Sequence, residues 1–351
     1  VPPVTLAELE ALPELVAVDN LPGAQEVHGI LAHPEGTAVV VGNERRGISA
    51  DVRAAAHRVV LIPMAPGPLN CLNVAAAAAV ALYYLAGPGS RGRMRTRAHP
   101  ARHRPDLLLA SPVDHAETGS ALRSAACFGW RQVLLDDRAQ VWFGADRRRV
   151  AEGRAAARQA RNPLRVVPAA PGHLGRLRAR PASGGPSGGW PGNPAVDAGN
   201  TSGRAEPSRG GAPEGRPVTE LHPYNQVVVV TPDGAGPLLH EVDLAGGPGQ
   251  LVVVADPAAI GDPAAAWEPA ARTVVRARLG LPTTDHYRLP ASIVMAEIAR
   301  QVGAPARAGH GPDRPQLGGQ RRGRRGLAYE NMVHLSTTGG EEVTWAELTA
   351  Y

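Results

Sequence analysis

The sequence predicts an α/β fold, with parallel sheets flanked by helices, on three observations. Short β-branched runs bounded by Gly, Pro and Asn alternate with helical patterns, as in βαβ units. One series of strand, strand, strand and helix occurs twice, at Glu14–Leu85 and again from Val227. The longest apolar run, Val74 to Leu85, is short of the ~20 helical residues needed to span a bilayer, so the apolar segments belong to buried cores.

Taken in order, Leu6 to Leu12 is a short helical pattern. Glu14–Val18 and Thr37–Val41 are buried strands, and Val59–Ile62 is a third. Asn73 is placed to cap a helix through the alanines to Leu85, with Gly87 as its stop. Residues 88–105 are Gly, Pro, Arg and His without periodicity and form a basic linker. Leu107–Ala110 is a strand, Thr118–Phe128 a helix ended by Gly129, Gln132–Leu135 a strand, and Arg148–Arg161 an Arg/Ala-rich helix. Residues 169–217 are rich in Gly, Pro, Ser and Arg, a composition that favours disorder. Order resumes at Val227. From about Ala304 the chain is again basic and Gly/Pro-rich, and Leu327–Tyr351 holds a strand and a short helix of no predicted place.

The second copy repeats the first: Glu14–Val18 as Val227–Val230, Val39–Val41 as Val252–Val254, and the helix after Leu72 as the helix after Leu289. Five segments follow: 1–87, a linker at 88–105, a second unit of 106–168 plus 218–303, a linker at 169–217, and a tail at 304–351. The copies differ in chemistry. Gly42-Asn43-Glu44 becomes Ala255-Asp256-Pro257, and Asn73 becomes Pro290, so the second copy keeps structure and loses polar groups. The chain starts without Met and enters a folded pattern at once, as a fragment would.

Hydrophobic residues make up 43% and aromatics 4%, so Ala, Val and Leu must supply most of the packing. Every one of the 37 basic residues is arginine, and the formal net charge is +5. Arginine pairs bidentately with phosphate, which suits a nucleic-acid partner, although a GC-rich codon bias produces the same composition. Two cysteines give neither a disulfide framework nor a zinc pattern, so no metal site is expected and the compartment reads as reducing and cytoplasmic. The first residues lack the basic start and apolar core of a signal peptide.

Two polar loops carry the chemistry. The first follows Val39-Val40-Val41 as Gly42-Asn43-Glu44-Arg45-Arg46-Gly47. The second begins at Ile62-Pro63-Met64 and continues to Cys71-Leu72-Asn73. A glycine directly after a buried strand allows close approach of a ligand to the backbone. Ile62, Met64 and Leu72 are either apolar walls of a pocket or plain core residues. Asn73 is either a helix cap alone or a cap that also faces the pocket. Upstream of the second copy lies Pro112-Val113-Asp114-His115-Ala116-Glu117-Thr118-Gly119, running on through Arg123 to Cys127-Phe128-Gly129. Nothing like it precedes Glu14.

In this order and spacing the loops resemble the SPOUT methyltransferases, and most closely the SpoU branch of RNA ribose 2′-O-methyltransferases. The segment from Pro112 to Gly129 resembles the first SpoU motif, with Glu117 in place of its asparagine. The resemblance implies a trefoil knot in the first unit, S-adenosyl-L-methionine as cofactor and tRNA or rRNA as partner. It implies Val41, Gly42, Asn43, Gly47, Ile62, Met64, Cys71 and Leu72 as cofactor-binding, and Arg123, Glu44 and Asn73 as catalytic. Cys71 stands where the family usually has serine. Arginine is a poor general base, so Arg123 is assigned to clamping phosphate and stabilising a developing oxyanion. Family members are generally dimers whose site takes its cofactor loops from one subunit and its arginine from the other. Here the first unit has the loops and the second the arginine, which implies a pseudo-dimer within one chain, or else a homodimer. Basic stretches at 91–104 and 307–325 are placed to hold the RNA backbone. The rival reading is a non-catalytic RNA-binding protein of the same fold.

Overall fold

The computed structural model describes residues 4–30, 36–43, 46–90, 104–171, 223–233, 235–246, 249–282, 284–303 and 332–334. The elements in chain order are α1 (Leu6–Glu10), β1 (Glu14–Val18), β2 (Gln25–Glu26), β3 (Thr37–Val41), α2 (Ala50–Ala55), β4 (Arg58–Leu61) and α3 (Val74–Leu85). They are followed by β5 (Asp106–Ala110), α4 (His115–Cys127), β6 (Gln132–Asp136), α5 (Arg147–Ala156), β7 (Arg165–Pro168), β8 (Tyr224–Thr231), β9 (Gln250–Ala255), β10 (Ala271–Arg278), α6 (Arg288–Val302) and β11 (Met332–His334).

Helix starts follow from local capping. Thr5 and Glu8 form a reciprocal capping box on α1, and the Asn73 side chain accepts from Ala75 N and Ala76 N on α3. Asp114 accepts from Ala116 N and Glu117 N, so α4 begins one turn before the predicted start at Thr118. The predicted helix Arg148–Arg161 is interrupted. It ends at Ala156, Arg158 takes a left-handed conformation (φ 51°), and a short 3-10 turn follows. Of the stretch predicted to be disordered, 172–217 lies outside the described residues, as do 91–103 of the first linker and most of the tail.

The architecture is α/β, with parallel strands flanked by helices. The second sheet runs β10-β8-β9-β5-β6-β7 and is parallel throughout. The first runs β11-β3-β1-β4-β2, parallel except for β11. In each, an earlier strand sits between the two that follow it: β1 between β3 and β4, β8 between β9 and β10. A helix then closes each series. The likeness extends further than the sequence indicated. The two-residue β2 lies on the outer edge of β4 and leads into Val27-His28-Gly29, and Leu238 bridges β10 and leads into Leu239-His240-Glu241. The sheets diverge at the other edge. There β9 pairs with parallel β5, whereas β3 pairs with antiparallel β11.

One apolar core runs through both halves. It joins Val16, Val39, Val60 and Tyr83 of the first to Leu122, Val228, Leu289 and Ile293 of the second. The closing helices α3 and α6 pack on each other, and α4 packs on α6. Between α3 and α6, Tyr84 donates to the Glu297 carboxylate at 2.8 Å. Among the described residues, no helix is long and apolar enough to cross a membrane.

Helices α4 and α5 approach through glycines. A Cβ added at Gly119 would lie 2.1 Å from the Gly153 carbonyl oxygen, and one at Gly153 would lie 2.8 Å from the His115 carbonyl oxygen. Gly119→Ala should therefore force the helices apart and destabilise the fold by about 2 kcal/mol or more, the scale of overpacking a tight core. Urea unfolding measures it. An unchanged midpoint would contradict the close contact.

Candidate active site

The carboxyl ends of β3, β1 and β4 lie side by side, with Val41 opposite Val18 and Val18 opposite Val60. The two candidate loops therefore leave the same edge of the sheet, where open α/β sheets bind their ligands. Val41 is buried at that edge. Gly42 follows it, and Asn43 and Gly47 are exposed and exchange backbone hydrogen bonds, Asn43 N to Gly47 O at 3.2 Å and Gly47 N to Asn43 O at 2.8 Å. The Asn43 side chain also accepts from Arg46 N. Glu44 lies outside the described residues, as does Arg45.

The structure changes the reason for Gly42. A Cβ there would lie 3.0 Å from the Gly47 backbone and 3.1 Å from Ile48 N. The missing side chain thus lets the loop fold back on its own strand; space for a ligand is not what it directly provides.

The second loop is held by the other half of the chain. Arg123, on α4 and 8% exposed, donates from Nε to the Cys71 carbonyl at 2.6 Å. Its Nη2 donates to the Leu72 carbonyl at 2.8 Å and to Cys71 Sγ at 3.1 Å. Four residues on, the Cys127 carbonyl accepts from Ala65 N at 2.8 Å, and Cys127 Sγ lies 3.5 Å from the Cys71 carbonyl. The last turns of α4 thus gather both parts of the loop, the stretch after Ile62-Pro63-Met64 and the stretch at Cys71-Leu72. Ile62 is buried, while Met64 and Leu72 are half-buried against the shared core. Asn73 caps α3, which fixes its side chain toward the helix backbone.

Sequence reasoning missed two residues here. Asp19 and Asn20 follow the central strand β1, between the two loops. Asp19 pairs with Arg53 at 3.4 Å, and Asn20 reaches the Asn70 carbonyl at 3.4 Å. The signal was a polar pair directly after a buried strand. A cavity of about 190 Å³ opens between the halves, lined by Ile62, Pro63, His28, Tyr84, Phe128 and Arg300. Burial pulls the His28 imidazole below its usual value.

In the second half the equivalent loop is closed. The Asp256 carboxylate accepts from Val113 N and Ala258 N, tying the end of β9 to the end of β5, and burial raises its pKa. Glu117, the departure from the family pattern, has a structural task. It accepts from Arg288 N at 3.0 Å and pairs with Arg288 Nη1 at 2.8 Å and His286 Nδ1 at 3.1 Å. It therefore supplies to the start of α6 the acceptor that Asn73 supplies to α3.

The first-half loops fit a nucleoside cofactor in kind: apolar Ile62, Met64 and Leu72 and the exposed turn at Asn43 and Gly47 lie at the ends of parallel strands. Residues 5–83 match the family model described as the SpoU rRNA Methylase family. No curated protein gives a significant match. Among solved structures, the SpoU methyltransferase AviRb from Streptomyces viridochromogenes is similar at 17% identity, over 58% of this chain and 62% of its own, with a TM-score of 0.34. The same protein in complex with the cofactor AdoMet is similar at 16% identity over 84% and 86%, TM-score 0.34. An RNA 2′-O ribose methyltransferase is similar at 18% over 75% and 80%, TM-score 0.34. In the first of these alignments the chain spans less than two thirds of AviRb's length.

The two thiols differ in environment. Cys71 is exposed, while burial pushes the Cys127 thiol up to about 12. Only the thiolate reacts, so at pH 8 an alkylating reagent should modify Cys71 and spare Cys127 until the chain unfolds. Mass spectrometry should find one label per native chain and two per denatured chain. Two labels at equal rates on the native protein would contradict the packing around Cys127.

Proposed function

We propose, from the match of residues 5–83 to the SpoU rRNA Methylase family model, that the chain transfers a methyl group from S-adenosyl-L-methionine to RNA, at a ribose 2′-hydroxyl of tRNA or rRNA. The observation that carries this reading is the reach of Arg123 from the second half onto the carbonyls of Cys71 and Leu72 in the first. A family site divides these roles between subunits. Here one chain provides both, as two complementary units within a pseudo-dimer. The proposal includes the knotted form of the first unit and a cytoplasmic location.

Val41, Gly42, Asn43 and Gly47 would line one side of the cofactor, and Ile62, Met64, Cys71 and Leu72 the other. The cofactor supplies an electrophilic methyl on a sulfonium. At that carbon the ribose oxygen would displace S-adenosylhomocysteine, and the hydroxyl proton would pass to water. Positioning and electrostatics are the protein's contribution. Arg123 commits three of its five N–H donors to the Cys71–Leu72 loop, and the two on Nη1 remain to hold the phosphate beside the target ribose and stabilise the forming oxyanion. Glu44 and Asn73 carry the remaining catalytic assignments that the family resemblance implies.

The rival, a non-catalytic RNA binder, draws support from the same arginine, since its bonds to two carbonyls and a thiol also serve as a clasp between the halves. Cofactor binding separates the two. Titration with S-adenosylhomocysteine by calorimetry should give one site per chain. Arg123→Ala should abolish methyl transfer and also weaken S-adenosylhomocysteine, because the Cys71 and Leu72 carbonyls lose their donors. Glu44→Ala should lower turnover. No heat of binding in the wild-type chain would leave the non-catalytic reading in place.

RNA affinity should fall steeply with salt, because arginine–phosphate contacts release counterions. Deleting residues 307–325 should weaken unrelated RNAs by similar factors, as backbone contacts do. Salt-independent binding would remove the phosphate backbone as the recognised feature.

A further inference from the structure

From Asp146 to Arg165 the chain carries seven arginines and two carboxylates, Asp146 and Glu152. Both carboxylates are already engaged, Glu152 with Arg148 and Asp146 with Arg149. Arg147, Arg154, Arg158, Arg161 and Arg165 are exposed and make no ion pair among the described residues. Five unneutralised charges equal the formal net charge of the whole chain, +5, so this surface concentrates the excess. Arg147 and Arg154 stand seven residues apart on α5, two turns along one face, about 11 Å. The face at Gly153, about 100° round the helix from Arg154, turns inward against α4. Arg158 and Arg161 continue past the end of α5. Asn162 anchors that end by donating to the Leu122 carbonyl at 3.5 Å, one residue before Arg123.

A second feature lies at the other end of this ridge. Phe143 is 47% exposed, whereas the chain's other phenylalanine, Phe128, is 1% exposed. Its position is held firmly: the Asp137 carboxylate accepts from Val141 N, Trp142 N and Phe143 N at 2.7–3.0 Å. An exposed ring four residues before Arg147, on a backbone held by Asp137, combines with the unpaired arginines the two elements that bind single-stranded nucleic acid, a stacking face and a cationic track.

We infer that the α5 ridge is a docking surface for a single-stranded segment of RNA, with phosphates on Arg147, Arg154 and Arg158 and a base stacked on Phe143. The surface leads toward Arg123, because the chain that carries it is pinned to α4 at Leu122 and at Gly119. It locates RNA contacts in the folded body, apart from the basic stretches at 91–104 and 307–325. The inference rests on the RNA reading of the site above.

The test uses the full chain, a single-stranded oligoribonucleotide and a duplex of the same sequence, with affinity measured against salt. Arg147→Gln/Arg154→Gln/Arg158→Gln should weaken the single strand and flatten the log–log salt slope by about 2, roughly 0.7 per lost phosphate contact. Phe143→Ala should weaken it about tenfold without altering the slope, and should leave the duplex unchanged. Circular dichroism and S-adenosylhomocysteine titration should match wild type for both variants, since none of these residues lines the cofactor loops. Wild-type affinity and slope in both variants would overturn the ridge while leaving RNA as partner. Wild-type chain that binds anionic phosphatidylserine vesicles and no RNA would overturn both.

Discussion

The Glu297 carboxylate is fully buried between the two halves, and the assembly depends on its being paired there. Removing a carboxylate from water costs several kcal/mol unless partners replace the lost hydration. Its partners come from both sides: Tyr84 of α3 donates to one oxygen, and Arg300 and Gln301 of α6 complete the shell. The cost falls on neighbours too. Burial and the nearby carboxylate raise the Tyr84 hydroxyl well above its usual value. For Arg300, burial pulls downward, but hydrogen bonding and attraction to Glu297 prevail and raise it. The Tyr84–Glu297 hydrogen bond ties α3 to α6 across the halves, within the apolar core that both halves share. The candidate loops after β3 and β4 and the Arg123 contacts lie within that shared assembly.

The two halves have spent similar residues on different tasks. In the first, Asn73 caps its own helix, and the loop after β3 closes on itself through Asn43 and Gly47. In the second, the cap for α6 comes from Glu117 on α4, and Asp256 sews the β9 loop to the β5 loop. A carboxylate that accepts backbone N–H groups fills the space a ligand would need and stiffens the sheet edge. The second half thereby becomes a support that presents α4 and its Arg123 to the Cys71–Leu72 loop of the first. This division of labour accounts for Glu117 and Asp256 together, which a count of motif losses treats as separate defects.

Much of this was legible because it is local. β-branched runs, the Asn73 cap and the glycine after Val41 are decided within a few residues, and the repeat is visible because its strands share one pattern. The rest depends on distance. Nothing near Arg123 in sequence announces the carbonyls of Cys71 and Leu72, 52 and 51 residues earlier. The predicted helix through Arg161 stops at Ala156 because Arg158 turns left-handed, and no glycine marks the place. β7 and α2 are four and six residues long and carry too little periodicity to be seen. The partner of β3 on its free edge could not be foreseen either, since β11 arrives from nearly 300 residues away in antiparallel sense. The fold class was thus decided by local pattern and the candidate site by contacts between elements.

Helix α4 is the element through which these contacts act together. Its first turn caps α6 through Glu117, and its middle is fixed to α6 by the Ser124–Ser292 hydrogen bond at 2.8 Å. Its glycine face meets α5 at Gly119, and its last turns hold the Ala65 and Cys71–Leu72 segments. A rigid helix cannot shift at one of these points without shifting at the others. On the proposed reading, a strand of RNA drawn along α5 would press on the same helix that holds the Cys71–Leu72 loop. Of the attachments on this helix of thirteen residues, two go to α6, one to α5 and one to the segments at Ala65 and Cys71–Leu72.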